Sequence, residues 1–333
     1  MFADAGLFAL DSNRDSSMKI SLVTPCFQAS RYIAETIESV LSQDHTDIEY
    51  WIIDGGSTDG TQDIIQKYEG DSRLRWLSEK DAGQSDALNK GLQRCTGDVF
   101  NWINADDAFT PGALRAVADA FAVSQADIVS GQTLEFSESN PAETSLCQLP
   151  LRKSAEETIC RGIYCQPSTF WRLKIIREFG GVNPDLHYVM DWHMWVRYLT
   201  QYGQQKVLKK PETWARFRKH ETSKSMTAEQ GFHAEALAVF RKLIDDLGAG
   251  DAVPFHEGEL GGVPAKLTLP DFQFGPHFQR ERFLGAYCDR VMGRLYRKQL
   301  YADAARWLAL AKKLDPHLSW SRMKMGWRLR RKQ

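Results

Sequence analysis

Short apolar runs and helix-spaced apolar stripes alternate along the first third of the chain. Lys19–Pro25 is a compact apolar run that stops where proline cannot continue a central ladder. After it, Ile33, Ile37, Val40 and Leu41 recur at helical spacing, with Ser30 placed to cap the helix. The rhythm then repeats. Ile48–Ile53 reads as a strand, and Ile64, Ile65 and Tyr68 mark a helix behind the glycine-rich turn Asp54–Thr61. Leu74–Leu77 is a third short strand, and Asp81–Leu92 is an amphipathic helix with a polar opening. Gly97-Asp98 leads into Val99-Phe100-Asn101-Trp102-Ile103, a buried strand that ends in Asn104-Ala105-Asp106-Asp107. Strand and helix in this order predict a mostly parallel sheet flanked by helices, an α/β fold joined by right-handed crossovers.

Ligands of an open α/β sheet sit outside the carboxyl ends of its strands, which is where Asp106 and Asp107 fall. Two adjacent carboxylates repel unless a cation or donor groups lie beside them, and a hard divalent ion takes such oxygens together with substrate phosphates. Taken alone, the pair reads rather as a polar turn in which Asp107 or Thr110 caps the helix Pro111–Ala122. The loop Asp54-Gly55-Gly56-Ser57-Thr58-Asp59-Gly60-Thr61 suits close approach of a ligand to backbone, but it is neither a dinucleotide fingerprint nor a phosphate loop.

These motifs, in this order, resemble family 2 glycosyltransferases of the GT-A fold. Thr24-Pro25, Asp54 through Thr61, Gly83 through Asn89-Lys90-Gly91, and Gly97-Asp98 with Asn104-Ala105-Asp106-Asp107 carry the resemblance over Met18–Asp107, and it continues more loosely to Met226. The resemblance implies an inverting enzyme that moves a sugar from a nucleotide-diphosphate donor to a hydroxyl acceptor, in cell-surface polysaccharide or glycolipid synthesis. It assigns donor contacts to Thr24, Pro25, Asp54, Gly55, Gly83, Asn89, Asn104 and Asp106, and a divalent metal, Mn²⁺ or Mg²⁺, to Asp106 and Asp107. Two departures stand out. Asn104 replaces the first aspartate of the metal motif, and Gly55 replaces the acid that meets the nucleobase, which leaves the base unspecified.

Farther on, Asp127–Phe136 reads as a strand, Ser137–Thr144 as a loop over the sheet edge, and Tyr164–Trp171 as an apolar strand near the site. Asp191 opens a helix with an aromatic face built from Trp192, Trp195, Val196 and Leu199. By itself it could be a capping acid; by the resemblance it is the catalytic base, with His193 peripheral. The basic segment Trp214–Ser225 reads as a polar loop, and Arg218, His220 and Ser223 match an Arg-x-His-x-x-Ser pattern. Arg218, His220 and Lys224 are the diphosphate candidates there. Within enzymes the alternative is a sugar-phosphate nucleotidylyltransferase, disfavoured by the missing basic loop after the first strand. Outside them it is a non-catalytic nucleotide-sugar binding module.

Composition narrows the remaining questions. A formal net charge of −1 excludes bulk attraction to nucleic acid, and 43% apolar residues suffice for a sizeable core. The six cysteines form no Cys-x-x-Cys pair and read as reduced, buried thiols of a cytoplasmic protein. Residues 1–17 read as a frayed leader rather than a signal peptide, 18–226 as the transferase domain and 227–333 as a helical extension. In the extension, Ala228–Leu247 is an amphipathic helix, 248–275 a linker, and His277–Leu314 a helical hairpin. The tail Trp320–Gln333 interleaves Arg322, Lys324, Arg328, Arg330, Arg331 and Lys332 with Trp320, Trp327 and Leu329. That composition suits either a solvated basic terminus or a helix on the anionic inner face of a membrane, where a lipid-linked acceptor would lie.

Overall fold

The computed structural model describes residues 18–140, 142–162, 165–221, 223–253, 267–316 and 320–330. Its centre is a nine-stranded sheet, among the described residues, in the order β3-β2-β1-β4-β8-β6-β9-β5, with β7 paired to β6. The first four strands, β1 (Ile20–Cys26), β2 (Ile48–Asp54), β3 (Leu74–Ser78) and β4 (Val99–Trp102), run parallel. They are joined through α1 (Ile33–Leu41), α2 (Thr61–Gln66) and α3 (Gln84–Leu92). β1 and β4 are buried along their whole length, as strands covered on both faces must be.

Beyond β4 the sheet turns mixed. β5 (Ala108–Phe109) is followed by α4 (Ala113–Ala122), then β6 (Ile128–Ser137) and β7 (Thr144–Gln148). After α5 (Ala155–Arg161) come a 3₁₀ turn at Gln166–Ser168, β8 (Thr169–Arg172), α6 (Leu173–Glu178) and α7 (Met190–Tyr202). β8 is antiparallel to both β4 and β6, and β9 (Val207–Lys219) runs parallel to β6 and antiparallel to β5. That closing strand sets the tip of β4, β5 and the end of β9 side by side.

Several local expectations are corrected. Ser30 does not cap α1, which starts after Tyr32 without a side-chain cap, because the Ser30 amide is held by Asp59. Neither Asp107 nor Thr110 caps α4, which opens behind Gly112 at φ 75°. The basic stretch expected as a loop is strand through Lys219. β7 was not anticipated, since its residues are mostly exposed and carry no apolar alternation. Of the apolar run Tyr164–Trp171, only Thr169 onward is strand, and Tyr164 lies outside the described residues. The cysteine reading changes too. Cys147 of β7 and Cys165 ahead of the 3₁₀ turn form a disulfide, while Cys26, Cys95, Cys160 and Cys288 are buried and free.

α8 (Lys224–Thr227) leads into the extension, which comprises α9 (Glu229–Asp246), α10 (Arg280–Arg297), α11 (Tyr301–Leu314) and α12 (Trp320–Arg330). It shares its core with the sheet: Phe240, Phe283 and Trp307 belong to one buried cluster with Phe100, Trp171 and Trp195. Two residues assigned to a membrane-facing tail lie inside the fold. Leu329 is 3% exposed, and Arg322, also 3% exposed, pairs with Asp289 and Asp315. The leader at 1–17 and residues Arg331 and Lys332 lie outside the described residues. No helix among the described residues is long and apolar enough to cross a membrane.

Candidate active site

The carboxyl ends of β1 and β4 open into a cavity of about 950 Å³. On its floor, Asp106 places a carboxylate oxygen 2.9 Å from His220 Nε2. His220 follows the last residue of β9, and its ring lies 5.0 Å from that of Tyr32. Asp107 behaves differently from its neighbour. It is 2% exposed and accepts hydrogen bonds from the Arg218 amide (3.0 Å) and Asn104 Nδ2 (3.3 Å). Burial, with the Asp106 charge next to it, pushes its carboxyl well above the usual carboxylate range. The two carboxylates expected to face one ion thus stand in different places. Asp106 lines the cavity, whereas Asp107 is a buried tie between the end of β4 and the end of β9.

Arg218 also works on the structure's own atoms. Its Nε bonds the Asp106 carbonyl at 3.1 Å, its guanidinium pairs with Glu35, and it covers the faces of Tyr32 and Phe136. Asp54 is 0% exposed and gathers the turn that follows it, accepting from the amides of Gly56 and Ser57 and from the Ser78 hydroxyl. At Gly55 a Cβ would meet the Asp81 carboxylate, which would have to shift aside. Thr24 is buried and hydrogen-bonded to Tyr50, and Asn89 spans to the Val182 backbone. Pro25, Gly83, Asn104, Asp106, His220 and Lys224 line the cavity; Thr24, Asp54, Gly55, Asn89, Asp107 and Arg218 do not. The latter group holds the loops that form the wall.

Asp191 lies on the same cavity, in the first turn of α7. One of its oxygens accepts from the Trp192 amide at 2.7 Å. Burial raises its carboxyl to about 6, against the smaller opposing pull of backbone hydrogen bonds. A carboxylate with that value is ionised at neutral pH yet basic enough to accept a proton from a hydroxyl group. His193, two residues on, is 0% exposed against Phe272, and desolvation depresses it to about 3. It takes no part in the cavity.

Sequence reasoning missed several lining residues. Phe27, 64% exposed, stands at the rim beside Gln28, which takes a positive φ of 51°. Tyr188 and Phe232 form an aromatic wall beside Asp191, with ring centroids 5.3 Å apart. The Cys147–Cys165 bridge borders the cavity as well. Gln84 connects separate parts of the wall. Its Nε2 donates to Asn104 Oδ1 at 2.8 Å, and its Oε1 accepts from Lys224 Nζ at 3.1 Å.

A sheet of this order, with the cavity at its strand ends, has the GT-A fold. Residues 21–174 match the model of Glycosyl transferase family 2. An uncharacterised glycosyltransferase of Nostoc sp. is 26% identical over 66% of this chain and 72% of its own length. TuaG of Bacillus subtilis, named as a glycosyltransferase of teichuronic acid biosynthesis, is 41% identical over 29% of this chain. Chondroitin synthase of Escherichia coli is 36% identical over 31% of it. The chain spans only 39% and 15% of these last two relatives. Among solved structures, S. aureus TarS 1–349 in complex with UDP aligns with a TM-score of 0.57 and 15% identity, over 91% of this chain and 93% of that one. The mannosyltransferase PcManGT of Pyrobaculum calidifontis, in complex with GDP-Man and Mn²⁺, aligns at 0.56 and 16%, over 93% and 79%.

Proposed function

We propose that this glycosyltransferase moves a sugar from a nucleotide-diphosphate donor to a hydroxyl acceptor with inversion, in the synthesis of a surface polysaccharide or glycolipid. The observation that carries the reading is that Asp191, raised to about 6, and the Asp106–His220 pair line one cavity. A single-displacement transfer needs a base at the acceptor and charge compensation at the leaving group, and the cavity offers both kinds of group.

Asp106 and His220 supply one oxygen and one nitrogen donor. Among the described residues no cluster of three or more such side chains occurs. The pair therefore fits an ion that draws the rest of its coordination from diphosphate oxygens and water, as Mn²⁺ or Mg²⁺ does. When bound, such an ion would offset charge on the departing nucleotide diphosphate. The chain's own residues do the rest. Lys224 lines the cavity and holds its ammonium against Gln84, where it adds positive charge for the phosphates. Asp191 accepts the proton of the attacking hydroxyl. Tyr188 and Phe232 give the acceptor sugar apolar faces to lie against.

UDP-N-acetylglucosamine and GDP-mannose are the first donors to test, and UDP the first product ligand, because the aligned structures hold them. A thermal-shift panel with Mn²⁺ should show one nucleotide sugar raising the melting temperature, since a ligand that binds only the folded state stabilises it. No shift with any nucleotide sugar at millimolar concentration would remove the donor assignment.

A further inference from the structure

The loop that carries Asp191 into the cavity is held from the helical extension. Glu235 lies on α9, in the extension. It is 3% exposed, and its two carboxylate oxygens accept three consecutive amides: His187 (2.8 Å), Tyr188 (2.8 Å) and Val189 (3.0 Å). Val189 is the residue immediately before α7, at its N-cap, and makes no side-chain cap there. A helix start carries a partial positive charge, so a carboxylate beside it complements the dipole while it takes the amides of the loop leading in. Burying a carboxylate is costly unless its lone pairs are filled, and three charge-assisted bonds fill them. One turn earlier on α9, Gly231 lies so close to the Tyr188 ring that a methyl group would clash with it. The helix and the loop are thus fitted to each other at two points.

From this anchor the contacts run on. The His187 carbonyl faces Lys224 Nζ at 3.5 Å, Lys224 bonds Gln84, Gln84 bonds Asn104, and Asn104 bonds Asp107. The Asp191 loop and the Asp106–Asp107 turn are therefore joined through one chain of polar groups, with Glu235 at its end.

We propose that Glu235 is a positioning residue for the transfer reaction: by holding the amides of His187, Tyr188 and Val189 it fixes where Asp191 stands in the cavity. This rests on the reading of Asp191 as the base. It makes the helical extension part of the catalytic apparatus rather than an appended module.

The test compares full-length wild type, Glu235→Gln, Glu235→Asp and Asp191→Asn. Gln keeps one acceptor oxygen but turns an NH₂ toward backbone donors, and Asp keeps the charge on a shorter stem. Amide hydrogen exchange needs no substrate. In Glu235→Gln, protection at 187–189 should fall at least tenfold while β1 and β4 stay protected, and Glu235→Asp should recover part of it. Unchanged protection there, or loss spread evenly over the sheet, overturns the proposal. With UDP-N-acetylglucosamine and Mn²⁺ as the probe, Glu235→Gln should lower kcat for donor hydrolysis at least tenfold with donor affinity held within twofold. Its acid limb should move from near pH 6 toward the ordinary carboxylate range as Asp191 swings to solvent. A kcat loss matched by equal loss of donor affinity, with the acid limb in place, marks Glu235 as merely structural. Full activity in Asp191→Asn would instead sink the base assignment. An inactive Asp191→Asn beside a wild-type-like Glu235→Gln would sink the Glu235 proposal alone.

Discussion

Replacing Asp191 by Asn should make the protein more stable at alkaline pH while it disables the chemistry. The ordinary aspartate value is 3.8, and burial in the cavity wall raises Asp191 to about 6. Below pH 3.8 the carboxyl is protonated in both the folded and unfolded chain, so it makes no difference to stability. Between 3.8 and 6 the folded chain binds more protons than the unfolded one, so stability falls as pH rises. Above 6 the whole cost is present. That interval corresponds to at most about 3 kcal/mol at 1.36 kcal/mol per pH decade. Solvent reaches the open cavity, so about 1–2 kcal/mol is the expected net effect. Asn keeps the size of the side chain and an oxygen for the Trp192 amide, so its main effect is to remove the buried charge. Urea unfolding at pH 8 should therefore show Asp191→Asn more stable than wild type by about 1–2 kcal/mol, and at pH 4.5 by less than half of that. Equal differences at the two pH values, or a destabilised variant at pH 8, would refute the reasoning.

Other perturbations follow from the same geometry. Asp106→Ala should abolish Mn²⁺-dependent stabilisation by nucleotide sugars. Asp107→Ala should instead lower stability by about 1–3 kcal/mol, read by urea unfolding, because the buried Arg218 amide loses its acceptor. His193 is buried with no hydrogen-bond partner for either ring nitrogen among the described residues, and burial depresses it to about 3. The unfolded chain thus binds its proton first as pH falls below 6.5. His193→Leu should raise stability by about 1–3 kcal/mol and reduce the loss of stability between pH 6.5 and 4, as measured by denaturant titration. Arg322→Ala should cost about 3–5 kcal/mol by removing the buried guanidinium that pairs with Asp289 and Asp315. A solvated or lipid-facing arginine would cost almost nothing, so thermal unfolding separates the two placements.

The parallel half of the sheet was legible because short apolar runs and helix-spaced stripes alternate there without interruption. β7 and β9 were not. The exposed β7 carries no alternation, and the basic residues of β9 look like a solvated loop until Glu35, Glu135 and Asp107 are seen to meet them. The motifs located the cavity, but spacing does not distinguish a side chain that faces a ligand from one that holds the facing loop. Thr24, Asp54, Asn89 and Asp107 belong to the second kind, each buried or turned to a backbone partner. The disulfide was invisible because nothing in the chain order brings Cys147 next to Cys165. Glu235 left one signal, an acid on the apolar face of α9 beside Val239 and Phe240, where a carboxylate is rarely tolerated without a purpose.

The most direct test of the account is the release of nucleotide diphosphate from UDP-N-acetylglucosamine and GDP-mannose in Mn²⁺, by wild type and Asp191→Asn side by side. Wild type should release it from one of these donors. Asp191→Asn should bind that donor with near-normal affinity and release it about a hundredfold more slowly or less, the loss expected when a general base is removed. Equal rates in the two proteins, or no release by wild type from either donor, would contradict the assignment of the cavity as a base-assisted transferase site.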